Sequence, residues 1–502
     1  VDRPNILHLF TDQQRFDTIR ALGAGWMKTP ALDRLCREGT VFTRAYTPSP
    51  ECVPARACMI TGRYADQTGC GSNADLMPPE DSPTLMSLLA DAGYRTHGVG
   101  KCHFNPDPWS LRGFHRRDTA EEIAEDPARD DFLRSLARSP YAHVLEPHGP
   151  RGEMYYIPQV SQLPAEAHPT RWVADRSLDF IRSRAGKKQP WYLYAGFIHP
   201  HPPFAPPNPW HKLYRAPEMP LPDLPADADE LLFFINRFQN RYKYRDRGLD
   251  LNLVCCIRAY YYACVSFIDH QVGRLLTELE TSGELDRTLI VFTADHGEML
   301  GDLGCFGKRS AHDASLRVPL IARLPGRFAP GERCAAPASL VDLLPTFLCA
   351  AGAPVPANAD GMDLSALATG QRRGAPVFFH YARGENAILG AVEYDWKYAW
   401  SAPDQKEFLF RCGEGTETKN HASTPAAAHV RDTLGVAVRR RAALSPYYRP
   451  NLTARGTWRR AKPRRMPADP DAGLLYQDPP KARPVLPAAY GLVYPKENFL
   501  GF

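Results

Sequence analysis

The sequence predicts an α/β fold: a large, mostly parallel sheet flanked by helices, with a smaller C-terminal antiparallel sheet plus one helix. Three observations predict it. Short apolar runs alternate with amphipathic segments through the first 370 residues, the pattern of a sheet wound with helices on both faces. After about Thr369, strand-like runs follow one another with no helix between them. The 502-residue chain is 44% hydrophobic and 23% charged, enough to bury a large core and longer than one ordinary domain.

Asn5 to Phe10 is a short apolar run suited to a buried strand. Thr29 to Gly39 places apolar residues at Ala31, Leu32 and Leu35 behind a threonine cap and before a glycine stop, so it reads as a helix. VFTRAYT, from Val41, is strand-like. A helix is predicted from Pro83 to Gly93, with the next strand in YRTHGVG. Pro190 to Ile198 is an aromatic-rich strand, Leu253 to Leu279 a long helix, and Thr288 to Ala294 a fully apolar strand followed by VPLIAR. Beyond Thr369, APVFFHYAR, NAILGAVEYDWKYAW and KEFLFRC read as strands and AAAHVRDTLGVAVRRRAAL as a closing helix. The divisions are 1–370, 371–444 and 445–502. The last holds ten prolines and little periodicity, so it has no core of its own.

Net charge is +5, but the stretch from Ser445 carries ten Lys/Arg against four acids. The rest is therefore close to neutral, and the bulk of the protein is no polyanion binder by composition. The extension has spaced aromatics but no nucleic-acid motif, so nucleic acid is not expected as a partner. A proline-rich arm that lies along a neighbouring subunit is expected instead, in a dimer or tetramer. No stretch reads as a bilayer span or a leader peptide. Twelve cysteines without a C-x-x-C pair are not a disulfide scaffold, and reduced thiols point to the cytoplasm rather than the periplasm, for a chain from which a leader could have been removed.

The chemistry gathers at predicted strand tips. The first strand ends in TDQQ, with Asp12 and Gln13 at its tip; TLIVFTA ends in DHGE, with Asp295 and His296 at its tip. In a parallel sheet these tips share one edge. Two carboxylates there repel by about 4 kcal/mol at roughly 4 Å and an effective dielectric near 20. A divalent cation converts that repulsion to attraction; oxygen ligands favour Ca²⁺ or Mg²⁺, and a histidine admits Mn²⁺. Singly, Asp12 reads as a helix cap and Asp295 as a turn former. Cys52 stands before PARACMITG, at a predicted helix start where the dipole and free N–H groups suit a group that carries an anion. Three residues separate it from Arg56, whereas a thiolate phosphatase signature needs five.

CVPAR resembles the Cys-x-Pro-x-Arg signature of the type I, formylglycine-dependent sulfatases of the alkaline-phosphatase-like superfamily. TDQQ and ADHGEMLGD are similar to that family's two metal motifs, GKCHF to its Gly-Lys-x-His, HPHPPF to its Pro-His-x-Pro-Phe, and FGKRSAHDASLRVPLIAR to its lysine loop. Six motifs in order span about Asn5 to Asn420. The resemblance implies an alkaline-phosphatase-like fold and a sulfatase in which a separate enzyme converts Cys52 to formylglycine. The hydrated aldehyde is then the nucleophile, and its second hydroxyl expels sulfate. It further implies one divalent metal, Ca²⁺ first and Mn²⁺ or Mg²⁺ as alternatives, on Asp12, Gln13, Asp295, His296 and the Cys52 derivative. Arg56 and Lys101 would hold the nucleophile, Lys308 would bind a sulfuryl oxygen, and His103 would take a proton from the diol. His201, preferred over His199, would serve the leaving group. Ala55 replaces a common serine, and His312 stands where tyrosine is frequent. Asn73 and His312 are the substrate-contact candidates. The formylglycine-generating enzyme and a small-molecule or saccharide sulfate ester are the implied partners. HPHPPFAPPNPWHKLYRAPEMPLP and DQQRFD also resemble the phosphonate monoester hydrolase branch, whose monoanionic substrates share the charge of sulfate esters. A non-catalytic binder of sulfated glycans is the remaining alternative.

Overall fold

The computed structural model describes residues 3–466 apart from 125, 152–154, 244–249 and 414–416. Its centre is an eight-stranded sheet. In chain order the strands are β1 (Asn5–Asp12), β2 (Thr40–Phe42), β4 (Arg95–Gly100), β5 (Arg116–Thr119), β6 (Trp191–Pro200), β7 (Thr288–Ala294), β8 (Leu320–Arg323) and β9 (Glu332–Cys334), with β3 (Ala45–Tyr46) and β10 (Ala338–Ser339) pairing separately. The spatial order is β5-β4-β6-β1-β7-β8-β2-β9. The run from β5 to β7 is parallel throughout, and β8 alone lies antiparallel to both neighbours.

Strand alternation explains why the sheet carries helices on both faces. Along β1, Ile6 and Phe10 enter a core with the helices Leu85–Asp91 and Leu343–Ala350, while Leu7 and Leu9 enter a second core with the helices Pro30–Glu38, Pro169–Arg184 and Leu251–Thr281. Leu251–Thr281 is long and apolar enough to cross a membrane by length and composition, which the sequence reading does not anticipate. It is a core helix of this domain, buried along most of its length.

The small sheet β11 (Val377–Tyr381), β12 (Ile388–Glu393), β13 (Trp396–Ser401) and β14 (Lys406–Arg411) is antiparallel in sequence order, with the helix Ala428–Leu444 on one face. That face packs on Cys58 and Tyr64, so the subdomain braces the helix that begins at Cys52. The packed subdomain continues past Leu444: Tyr448 and Trp458 are buried, and Trp458 stacks on Trp400 with ring centroids 5.2 Å apart. The boundary expected at Ser445 is therefore too early, because those aromatics complete this chain's own core. Residues 467–502 of the extension, and residues 244–248 at the end of the charged run RFQNRYKYRDRG, lie outside the described residues. All twelve cysteines are free thiols.

Candidate active site

The C-terminal ends of β1, β4, β6 and β7 point to one edge, and each delivers a site residue there: Asp12 ends β1, Lys101 follows β4, His201 follows β6, and Asp295 and His296 follow β7. Gly100 makes the turn into Lys101. Its φ is +83°, and a Cβ there would stand 2.1 Å from the Gly196 carbonyl oxygen, so only glycine fits.

Cys52 opens the helix Cys52–Thr61, every residue of which is buried. Pro54 occupies its first turn, where a missing N–H costs nothing. Glu51 precedes the helix in extended conformation and gives no side-chain cap; the Val53 N–H donates instead to Asn73 Oδ1 at 2.9 Å. Gly62 ends it in the left-handed region.

The cluster around Cys52 is dense. Arg56 Nη2 lies 3.0 Å from Asp12 Oδ2 and 3.0 Å from Asp295 Oδ2, and its Nη1 donates to the Lys101 carbonyl and the Tyr194 hydroxyl. Lys101 Nζ is 2.7 Å from Asp12 Oδ2. Lys308 Nζ donates to Cys52 Sγ at 2.9 Å and to Gln13 Oε1 at 2.8 Å. Cys52 Sγ is 3.2 Å from His296 Nε2 and 3.8 Å from Asp12 Oδ1. Burial works to raise the Asp12 carboxyl, but Lys101, His201, Lys308 and Arg56 hold it well below the carboxylate range. Burial and the Asp12 charge raise Asp295. Burial also opposes a Cys52 thiolate, as does Asp12; Lys308, Lys101 and His296 outweigh them and pull the thiol well below its ordinary value.

These residues fit a divalent cation. One ligand atom each from Asp12, Cys52, Asp295 and His296 lie within 4.8 Å of one another, all buried. His296 Nδ1 faces the Gly297 carbonyl at 3.0 Å, which can only accept, so Nδ1 carries the proton and Nε2 presents its lone pair to the cluster. Gln13 stands at the edge of this set with its carbonyl oxygen engaged by Lys308 and its amide donating to Glu298.

A cavity of about 370 Å³ opens above the cluster. Cys52, Gln13 and Lys308 line it together with His103, His201 and Asn73. His103 Nδ1 is buried and has no hydrogen-bond partner among the described residues. His199 does not line the cavity: it packs against His168, its Nδ1 beside the Thr170 hydroxyl. His312 is not brought to the cavity. It is 1% exposed, with Nε2 on the Leu231 carbonyl and Nδ1 on the Ser310 hydroxyl, and its ring packs against Phe233 and Phe410. An apolar pocket behind the loop, rather than the cavity rim, claims that side chain.

Four acids that are not among the predicted site residues shape the site. Glu121 accepts from the Cys102 and His103 backbone N–H groups and so moulds the loop after β4. Glu298 accepts from Leu300 and Gly307, tying the loop after β7 to the lysine loop. Glu51 pairs with Arg309 at 2.6 Å. Glu122, one turn past the tip of β5, meets Lys101 and His201. The signal for Glu122 was available, since it follows a strand on the same sheet edge, but the strand reads RRDT and has no apolar run to reveal it.

Comparison with known proteins follows the same lines. The sulfatase family profile matches residues 4–353, and the profile described as N-sulphoglucosamine sulphohydrolase, C-terminal, matches 301–435. The chain is 28% identical to an arylsulfatase of Clostridium perfringens (81% of this chain, 88% of that protein). It is 31% identical to a choline-sulfatase of Rhizobium meliloti (84% and 83%). Among solved structures, the phosphonate monoester hydrolase of Silicibacter pomeroyi superposes with a TM-score of 0.75 at 25% identity, covering 92% of this chain and 100% of that one.

Proposed function

Because the chain belongs to the sulfatase family, in the alkaline-phosphatase-like superfamily, and is a sulfuric ester hydrolase, we propose that it cleaves sulfate monoesters at Cys52, converted to formylglycine, beside one divalent cation. The observation that carries this reading is the position of Cys52 Sγ. It lies at a helix N-terminus, 2.9 Å from Lys308 Nζ and 3.2 Å from His296 Nε2, on the floor of the cavity.

Asp12, Asp295 and His296, with Gln13 and the Cys52-derived oxygen, would hold the cation, which supplies charge that polarises the ester and favours the ionised nucleophile. Hard oxygen ligands favour Ca²⁺. The hydrated aldehyde supplies a nucleophilic hydroxyl and a second hydroxyl whose deprotonation releases sulfate. The chain's own residues do the rest. Arg56 neutralises both aspartates and anchors them to the nucleophile helix. Lys101 fixes Asp12. Lys308 reaches the nucleophilic atom and so can donate to the sulfuryl oxygen that gathers charge as the S–O bond breaks. His103, which lines the cavity, would take the diol proton. His201 lines the same cavity and would protonate the leaving-group oxygen.

Protein produced together with a formylglycine-generating enzyme should carry the aldehyde at Cys52 by peptide mass spectrometry and should hydrolyse aryl sulfates. An unmodified Cys52 in fully active protein would overturn the reading. A second reading, hydrolysis of phosphonate monoesters or phosphodiesters at the same site, is supported by the full-length likeness to the phosphonate monoester hydrolase. The ratio of aryl sulfate to aryl phosphonate turnover decides between them.

A further inference from the structure

Glu122 is a buried carboxylate that none of these steps uses. We propose that it is the positioning residue that holds His201 as proton donor to the departing alcohol; the proposal rests on the sulfatase reading. One oxygen, Oε2, lies 2.5 Å from Lys101 Nζ; the other, Oε1, lies 3.4 Å from His201 Nδ1 and also meets Arg151. The Glu122 side chain is 9% exposed and that of His201 4%. One carboxylate thus joins the lysine that fixes Asp12 to a histidine of the cavity wall.

The need for it follows from the ring's proton positions. His201 Nδ1 is 2.7 Å from the Pro202 carbonyl oxygen, which can only accept. Nδ1 therefore carries hydrogen, and the neutral ring has a lone pair at Nε2. Nε2 can donate only when both nitrogens are protonated. A buried imidazolium requires a partner anion, and Glu122 places a carboxylate oxygen 3.4 Å from Nδ1. Burial lowers the His201 pKa and the two lysines push the same way, with Glu122 the strongest influence in the opposite direction. Tyr155 sets its ring edge-on to His201 at 6.1 Å and narrows the ring's freedom. In the step itself the ionised hydroxyl of the Cys52-derived diol bonds to sulfur as the bond between sulfur and the ester oxygen breaks; the electron pair of the broken bond stays on the ester oxygen, and the Nε2 proton moves to it. His201 is left neutral and regains a proton from solvent after the alcohol departs.

The test is a series of aryl sulfates from para-nitrophenyl, whose phenolate leaves unaided, to phenyl, whose oxygen needs a proton. Glu122→Gln is expected to lower kcat for the phenyl ester by roughly a hundredfold and for the nitrophenyl ester by about tenfold or less. In a His201→Asn background the same change should cost little on either, because the partner it acts through is gone. Equal losses across the series, or full additivity with His201→Asn, would overturn the proposal and leave Glu122 a purely structural charge. If Glu122→Gln does not fold, Glu122→Asp keeps the charge beside Lys101 and draws the carboxylate back from His201; it should steepen the same dependence, and an unchanged slope overturns the proposal equally. Wild-type protein with converted Cys52 that turned over none of these esters would remove the sulfatase reading and the proposal with it. That failure shows before any variant is made.

Discussion

The loop from Lys308 to Leu316 carries a member of each of two buried charge clusters, and they differ in kind. Lys308 belongs to the cluster of Asp12, Asp295, Arg56, Lys101 and Cys52. Five residues on, Asp313 belongs to a triad with Lys397 and Glu417: Lys397 Nζ is 2.5 Å from Asp313 Oδ1 and pairs with Glu417, and the Asp313 N–H donates to Glu417 Oε2. Both clusters are buried and both perturb pKa values. The first lies beneath a cavity lined by three residues with positive φ, Gln13 (65°), His103 (52°) and Arg309 (81°), conformations that cost of order 1–3 kcal/mol each. The triad has no residue in that region and lines no part of the cavity. Buried charge alone is thus no mark of chemistry. Strained backbone and potential ligand atoms converging on a cavity distinguish the cluster at Cys52; mutual satisfaction across a subdomain boundary distinguishes the triad.

The sharpest way to break that contrast is to remove one member of each. Cys52→Ala should lower kcat/KM on an aryl sulfate by about 10⁴-fold, equivalent to ~5.5 kcal/mol of transition-state stabilisation, while the urea midpoint moves by no more than about 1 kcal/mol equivalent. Lys397→Met should do the reverse. It strands Asp313 and Glu417 without their cation, which costs about 3–5 kcal/mol of stability, and turnover per folded molecule should stay within roughly threefold of wild type. A large loss of turnover in correctly folded Lys397→Met protein would show that the two clusters are one functional unit.

The two clusters were unequally legible in the sequence. Asp12, Cys52, Asp295 and His296 could be read because each stands at the end of a recognisable element, an apolar strand or a helix start, and parallel strands send their ends to one edge. The triad could not be read. Lys397 lies mid-strand in WKYAWS and meets partners 84 residues before it and, in Glu417, after the end of the next strand, a pairing that only the antiparallel sheet creates. His312 was misplaced for the same reason: its loop position is visible, but the Leu231 carbonyl and the Phe233 ring that draw it inward come from about 80 residues away. The first twenty residues of the extension show no periodicity because their aromatics fill pockets in an existing core.

Cation dependence should separate the clusters by a smaller margin. A divalent ion that binds only the folded protein adds about 2.7 kcal/mol at a hundredfold excess over Kd. A chelator should therefore lower the wild-type melting temperature and leave Asp295→Asn, which lacks one of the proposed ligands, unmoved. Lys397→Met should keep the full response. Equal chelator responses in wild type and Asp295→Asn would place the ion elsewhere.

The smallest expected effect lies in the triad's protons. Burial raises Glu417 to about 7, with Asp313 adding to it and Lys397 acting against it. Its unfolded value is near 4.5. Between those values the folded protein keeps a proton that the unfolded chain releases, so this group's contribution is fully present below about pH 4.5 and is lost as pH rises through 7. Asp130 and Asp269, each also raised to about 7 by burial, act with the same sign. The informative quantity is therefore a difference. Glu417→Gln removes the proton exchange and keeps an amide beside Lys397. From pH 5 to pH 8 wild-type protein should lose about 2 kcal/mol more stability than the variant, read from urea midpoints at fixed ionic strength. The sign matters more than the size. If the variant loses as much as wild type, Glu417 is ionised in the folded state throughout. Lys397 would then hold two full negative charges with Arg317, 3.6 Å from Asp313, as the nearest further cation to that carboxylate. The self-contained character that sets this cluster apart from the one at Cys52 would be lost.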